Sequence, residues 1–168
     1  MKQTIIILIG HDTSGKSSIA KELSKKLNLP IWKMKTPKHF WDPIVAQRYS
    51  QETITQITEQ TNVSYISDRG FPCDWMYSKL FARSFDYEKA IDTDIRFSKM
   101  NTLIVLCYKT KDKFLHDEED KDFVSINDYQ KMTNIYLDYL NQTQCRYIKI
   151  NTNNENITNQ INEIVKHI

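Results

Sequence analysis

The chain has 168 residues, with 23 basic and 21 acidic side chains and a formal net charge of +2. That length suffices for one domain with its own core, and the near-balanced charge argues against a general nucleic-acid-binding surface. With 40% hydrophobic and 26% charged residues, the composition is that of a globular domain rather than a disordered or membrane-embedded chain.

Cys73, Cys107 and Cys145 lie far apart in the sequence. Their spacing outlines no metal cluster and fits a reducing compartment. The apolar N-terminal run is too short for a signal sequence or a membrane span. A cytoplasmic location is therefore expected, with no membrane or nucleic-acid partner.

Residues 4–9 (Thr-Ile-Ile-Ile-Leu-Ile) predict a fully buried strand. Gly10-His11-Asp12-Thr13-Ser14-Gly15-Lys16-Ser17 follows and matches G-x-x-x-x-G-K-[ST]. Residues 17–27 then carry Ile19, Ala20, Leu23 and Leu27 at helical spacing. Strand, loop and helix are the context in which this pattern binds polyphosphate. Loop N–H groups and the helix N-terminus supply donors and a positive dipole end. Lys16 reaches the terminal phosphates, and the Ser17 hydroxyl suits the shell of a Mg²⁺ ion. The expected nucleotide-binding set is Gly10, His11, Asp12, Thr13, Ser14, Gly15, Lys16, Ser17 and Ser18. Two of the chain's three glycines lie in this motif.

Residues 30–34 predict a short second strand, and Pro37 makes Lys35-Thr36-Pro37 a loop. Asp42-Pro43 is a helix-start signal for a helix to about residue 60. Residues 63–67 predict a third strand ending at Asp68-Arg69-Gly70, and residues 72–83 and 87–99 predict two helices. Residues 102–108 form the clearest strand after the first. A polar segment follows, then a capping box at Ser125-Ile126-Asn127-Asp128 opening a helix to residue 140. Residues 146–150 predict the fifth strand. A second capping box, Thr152-Asn153-Asn154-Glu155, precedes a last helix with Ile157, Ile161, Ile164, Val165 and Ile168 as one core stripe.

Alternating strands and helices imply an α/β domain over residues 1–168, with a five-stranded parallel sheet covered on both faces. Its ligand belongs at the carboxyl ends of the strands, so Gly10, Lys35, Asp68 and Lys109 are expected on one rim. There Asp68 suits a water-mediated hold on Mg²⁺, and Arg69 a forked contact to a second phosphate. Gly70 is read as the residue that permits a sharp turn. His11 and His39 read as solvated loop residues.

These residues resemble the thymidylate kinase family of nucleoside monophosphate kinases. The loop with an acidic residue at Asp12, the basic Lys35 shortly before Pro37, and the Asp68-Arg69 pair carry the resemblance. So do Arg48, twenty residues before Asp68, and Tyr77, nine after it. The resemblance implies a P-loop NTPase-type fold, ATP as donor with Mg²⁺, and a lid over about residues 109–124. It also implies a homodimer.

Lys35 and Arg69 would hold the acceptor phosphate, Asp12 would touch the metal shell or the sugar 3′-OH, and Tyr77 would disfavour ribose. Arg48, Trp41 and Phe71 are base-side residues, for which packing is an equal reading of Trp41, Phe71 and Tyr77. The family's arginine for the transferred phosphoryl group is missing from Thr13 and Ser14. Lys109, Lys111, Lys113, Lys121 and His116 are what the lid offers instead. Cys73 replaces a serine near the base, followed by Asp74, whose carboxylate would accept from an exocyclic amine and allow a base other than thymine.

The implied reaction is ATP-dependent phosphorylation of a deoxynucleoside monophosphate, with Lys16, Arg69, Asp12 and Lys35 as catalytic residues. Deoxynucleoside kinases, the main alternative, commonly carry Glu-Pro with a tryptophan four residues after the proline. Pro37 and Trp41 keep that spacing, but Thr36 stands at the glutamate position and cannot act as a carboxylate base. A non-catalytic nucleotide switch is the third reading.

Overall fold

A run of isoleucines and leucine with no polar interruption can be buried only as a central strand. In a computed structural model, which describes residues 3–33, 42–110, 125, 127–153 and 156–168, β1 (Ile5–Ile9) is that strand. It pairs in parallel with β3 (Tyr65–Asp68) on one side and β4 (Thr102–Tyr108) on the other. β2 (Ile31–Trp32) and β5 (Arg146–Asn151) complete the parallel sheet in the order β2-β3-β1-β4-β5. Trp32 is the last residue of β2, so the predicted strand is shorter, and Met34 lies outside the described residues.

The two-residue side-chain period sorts the sheet into two cores. Ile6, Leu8, Val105 and Cys107 face α1 (Lys16–Leu27) and α6 (Ile157–Val165). Ile5, Ile7, Ile9, Ile104 and Leu106 face the other layer. That layer holds α2 (Pro43–Thr61), α3 (Phe71–Leu80), α4 (Tyr87–Lys99) and α5 (Asp128–Leu140). Helices thus cover both faces, and no helix among the described residues is long and apolar enough to cross a membrane.

The Asp42-Pro43 signal works as its chemistry requires: Asp42 Oδ1 accepts from the N–H groups of Ile44 and Val45 at 2.8 and 3.2 Å. The first capping box forms in part and the second does not. Asp128 Oδ2 accepts from Ser125 N and Oγ, and the helix proper starts only at Asp128. Thr152 does not cap the last helix, which Asn156 caps through Asn159 N at 3.3 Å. In the terminal stripe Ile161 and Ile164 are buried, whereas Ile168 lies past the helix end and is exposed.

The α4–α5 side is closed by a buried carboxylate. Asp94 accepts from Tyr139 Oη at 2.7 Å, Thr143 Oγ1 at 2.5 Å and Gln144 N at 2.7 Å. It fixes the turn that delivers β5 to the sheet. Asp94→Ala leaves these donors unmatched and should lower the unfolding free energy by about 3 kcal/mol, measured by urea denaturation. A loss under about 1 kcal/mol would show that water replaces the carboxylate without cost.

Candidate functional site

The loop between β1 and α1 wraps tightly because three residues take positive φ: Gly10 (144°), Thr13 (60°) and Gly15 (87°). Gly10 is also required for space, since a Cβ there would lie 2.0 Å from the carbonyl oxygen of Cys107 on β4. Lys16 folds back into this wrap. Its Nζ donates to Gly10 O at 3.0 Å and His11 O at 2.6 Å, with Ser14 Oγ at 3.4 Å. Burial, and then the nearby Arg69 charge, lower the Lys16 pKa from its usual value. The ammonium is therefore a poorly hydrated positive charge held at the mouth of α1.

His11 is buried beneath the loop, contrary to the solvated reading. Its Nδ1 donates to Asp12 O at 2.5 Å, and its ring stacks on Tyr129 of α5 at 4.8 Å. Burial brings its pKa down to about 4, so the ring is neutral near pH 7. Ser14 is buried as well, and its carbonyl accepts from Thr152 Oγ1 at 2.8 Å. The loop is thereby pinned to the end of β5. Asn153 continues this tie, exchanging hydrogen bonds with Thr110 at 2.9 and 2.6 Å just beyond β4.

At the end of β3, Asp68 Oδ2 accepts from Ser17 Oγ at 2.8 Å and lies 3.5 Å from Lys33 Nζ. A hydroxyl and a carboxylate side by side are hard oxygen ligands of the kind Mg²⁺ shares with substrate phosphates and water. The arrangement fits Mg²⁺ through Ser17 and Asp68, since such an ion needs no all-protein cage. No group of three His, Cys, Asp or Glu side chains among the described residues could hold a metal. Lys33 was not singled out in the sequence. Only its place at the end of β2, beside β3, brings it to Asp68.

Arg69 follows with φ 75°, left-handed for a non-glycine residue. Its N–H donates to Leu8 O at 3.0 Å, and Ser67 Oγ donates to its carbonyl. Held at both ends, the backbone turns the guanidinium onto Asp12, with which it forms an ion pair, and onto Tyr77 Oη at 2.5 Å. The turn is made by Arg69 and not by Gly70, whose backbone is extended. What Gly70 supplies is room, because a Cβ there would lie 2.9 Å from Ile7 Cγ2.

Tyr77 leads from this network into a cavity of about 220 Å³ between α2 and α3. Asp74, Tyr77 and Ser78 line it from one side, and Ala46, Gln47 and Ser50 from the other. Asp74 Oδ2 accepts from Gln51 Nε2 at 2.9 Å, and burial pushes its pKa up to about 6. Arg48 does not line this cavity; exposed on α2, it donates to Asp86 Oδ2 at 2.5 Å. Phe71 is buried against Phe97, and Cys73 accepts from Tyr136 Oη at 3.2 Å in the core. Lys35, Trp41, His39 and Thr36 lie outside the described residues, as does the expected lid from residue 111 to 124.

No family model and no curated protein matches the sequence. Among solved structures, the chain is similar to the YorR protein of Bacillus subtilis in complex with phosphorylated GDP. The TM-score is 0.75 at 18% identity, over 96% of this chain and 94% of that one. It is also similar to thymidylate kinase from Ehrlichia chaffeensis, with TM-score 0.64 at 14% identity over 99% and 98% of the two chains. Deoxyadenosine kinase from M. mycoides with bound dATP gives TM-score 0.64 at 15% identity over 98% and 97%. The chain therefore shares the α/β, P-loop NTPase-type fold of these proteins, a five-stranded parallel sheet with helices on both faces.

The raised Asp74 pKa links charge to stability. With a folded pKa of about 6 against an ordinary 3.8, the folded state holds the proton more tightly. Stability from this group is full below about pH 4 and is lost as pH rises through 6. Asp74→Asn has no charge to bury. Relative to the parent protein, it should gain on the order of 2 kcal/mol between pH 4 and pH 8, read from unfolding curves at several pH values. A difference independent of pH would contradict a buried carboxyl.

Proposed function

We propose that the chain transfers a phosphoryl group from ATP to a deoxynucleoside monophosphate, making the diphosphate. The observation that carries this reading is Arg69, a guanidinium held between Asp12 of the phosphate-binding loop and Tyr77 of the cavity helix. It stands where a donor on the loop and an acceptor in the cavity would meet.

In this reading the loop N–H groups and Lys16 take the donor β- and γ-phosphates. As the phosphates enter, Lys16 exchanges carbonyl partners for phosphate oxygens. Ser17 and Asp68 would hold Mg²⁺, whose charge would offset that of the phosphates. Arg69 forks onto the acceptor phosphate, with Lys35 as a proposed second cation. Positioning and charge neutralisation provide most of the catalysis in such transfers.

The carboxylates on this rim favour a monophosphate acceptor. Asp12 is engaged by Arg69, and Asp68 by Ser17 and Lys33. A phosphate monoester, with a second pKa near 6, arrives ionised and needs no general base, whereas a nucleoside hydroxyl needs one. Fold similarity to a deoxyadenosine kinase, at the same TM-score as to a thymidylate kinase, supports a deoxynucleoside 5′-hydroxyl as the second reading. Asp12 would then serve as base once released by Arg69.

Paired assays with ATP and Mg²⁺ separate the two. ADP formation with deoxynucleoside monophosphates and not with deoxynucleosides is expected, and the reverse pattern would overturn the proposal. Lys16→Ala should lower transfer at least ~10²-fold with the protein still folded, because transition-state charge loses its counterion. Near-parental turnover in that variant would remove Lys16 from the site. Arg69→Ala should raise the acceptor KM and lower kcat while ATP affinity stays within about twofold, an acceptor-side loss of transition-state binding. Equal loss of ATP binding would place Arg69 on the donor side.

A further inference from the structure

The α2–α3 cavity has an unusual inventory of hydrogen-bonding groups. Gln47 has its amide orientation fixed at both ends: Nε2 donates to Asp86 O at 2.9 Å and Oε1 accepts from Asp86 N at 2.9 Å. Ser50 Oγ donates to Gln47 O at 3.1 Å, and Ser78 Oγ donates to Trp75 O at 2.8 Å. Behind the wall Gln51 is fully buried, its Nε2 on Asp74 Oδ2 and its Oε1 accepting from Thr93 Oγ1 at 3.1 Å. Asp74 Oδ1, by contrast, has no hydrogen-bond partner among the described residues. The Asp74 side chain lines the cavity.

We propose that this cavity seats the acceptor's base and that Asp74 selects bases carrying an exocyclic amino group over thymine and uracil. The inference rests on the acceptor side of the kinase reading above. Its volume is below the ~300–1,000 Å³ of pockets that enclose a whole drug-sized ligand, a size for a base with the sugar and phosphate outside. Tyr77 joins the cavity to Arg69, which places the base and phosphate seats next to each other.

The selection follows from what is left to bond. An amino group brings N–H donors, which the open Asp74 oxygen accepts. Thymine and uracil bring a carbonyl to the same place, where it meets a carboxylate oxygen and neither atom can donate. The amides of Gln47 and Gln51 are already committed and do not turn to relieve that contact. The Tyr77 hydroxyl proton and Arg83 remain as donors for the ring nitrogen beside the amino group. A site that loses a buried polar partner discriminates far more strongly than one that loses a methyl contact.

The test is a binding panel of dAMP, dCMP, dTMP and dUMP by calorimetry, with ADP formation measured separately on the same acceptors. At pH 8, dAMP or dCMP should bind at least ~10-fold more tightly than dTMP and dUMP. Asp74→Asn, whose amide can donate, should bring that ratio within about threefold. Tightest binding of dTMP by the parent protein, or an unchanged ratio in the variant, would overturn the inference.

A measurement without substitution uses pH. Tyr77 and Arg83 are the other ionisable groups lining the cavity, and the α2 residues facing Asp74 are uncharged. The parental preference should therefore fall below about pH 6 as Asp74 gains its proton, and a preference that is flat to pH 5 argues against Asp74. Selective binding without ADP formation would sink the kinase reading and leave base selection standing. Turnover without selectivity would do the opposite.

Discussion

The backbone at Arg69 is the constraint on which the site depends. A non-glycine residue in the left-handed region costs about 1–3 kcal/mol, so it persists only where neighbours overdetermine it. Here the β1 carbonyl of Leu8 fixes the Arg69 N–H and Ser67 fixes its carbonyl. The β1–β3 pairing thus continues one residue past the strand, and the next side chain is thrown back across the sheet edge toward Asp12. A regular exit from β3 would send the guanidinium elsewhere, and the β1–α1 loop and the cavity would lose the link that Arg69 makes between Asp12 and Tyr77.

The β1–α1 loop is held from the opposite side by the end of β5. Thr152 anchors the Ser14 carbonyl, and Asn153 ties the same segment to Thr110. Loop, β4 exit and β5 exit therefore form one hydrogen-bonded rim, while Lys16 supplies the charge inside it. Burial makes the charged form of Lys16 costly, which favours any arrangement that brings an anion to Nζ.

Much of this was legible in the sequence, for identifiable reasons. The uninterrupted Ile5–Ile9 run and Thr102–Tyr108 have the apolar continuity of strands buried on both faces, and they are the centre of the sheet. Asp42-Pro43 starts a helix by local chemistry alone, which is why its position agrees with the structure. The β1–α1 loop is contiguous, so its eight residues display the G-x-x-x-x-G-K-[ST] pattern without any tertiary information. What could not be read depends on juxtaposition. Lys33 meets Asp68 only because β2 lies beside β3, and Gln51 meets Asp74 across two helices. Thr152 looked like a cap because its local pattern is that of a cap; the loop carbonyl that claims its hydroxyl is 138 positions away. Arg48 had the spacing of a base-contacting arginine, yet Asp86 holds it on the exposed face of α2.

The cavity shows how structural satisfaction also settles chemistry. A free amide can turn over and present either a donor or an acceptor, which would make its cavity indifferent to the edge of a base. Gln47 has lost that freedom to the α4 N-terminus, where both of its amide atoms meet Asp86 backbone. For Gln51 the restriction comes from Asp74 itself: an ionised carboxylate tolerates only the N–H side of the amide. The charge on Asp74 and the orientation of Gln51 are therefore a single state, stabilised further by the Thr93 hydroxyl on the far side. Burial raises the energy of that charge, and the Gln51 hydrogen bond offsets part of the cost. The remainder is relieved by whatever donor reaches the second oxygen, so the cavity's polarity follows from packing behind its wall.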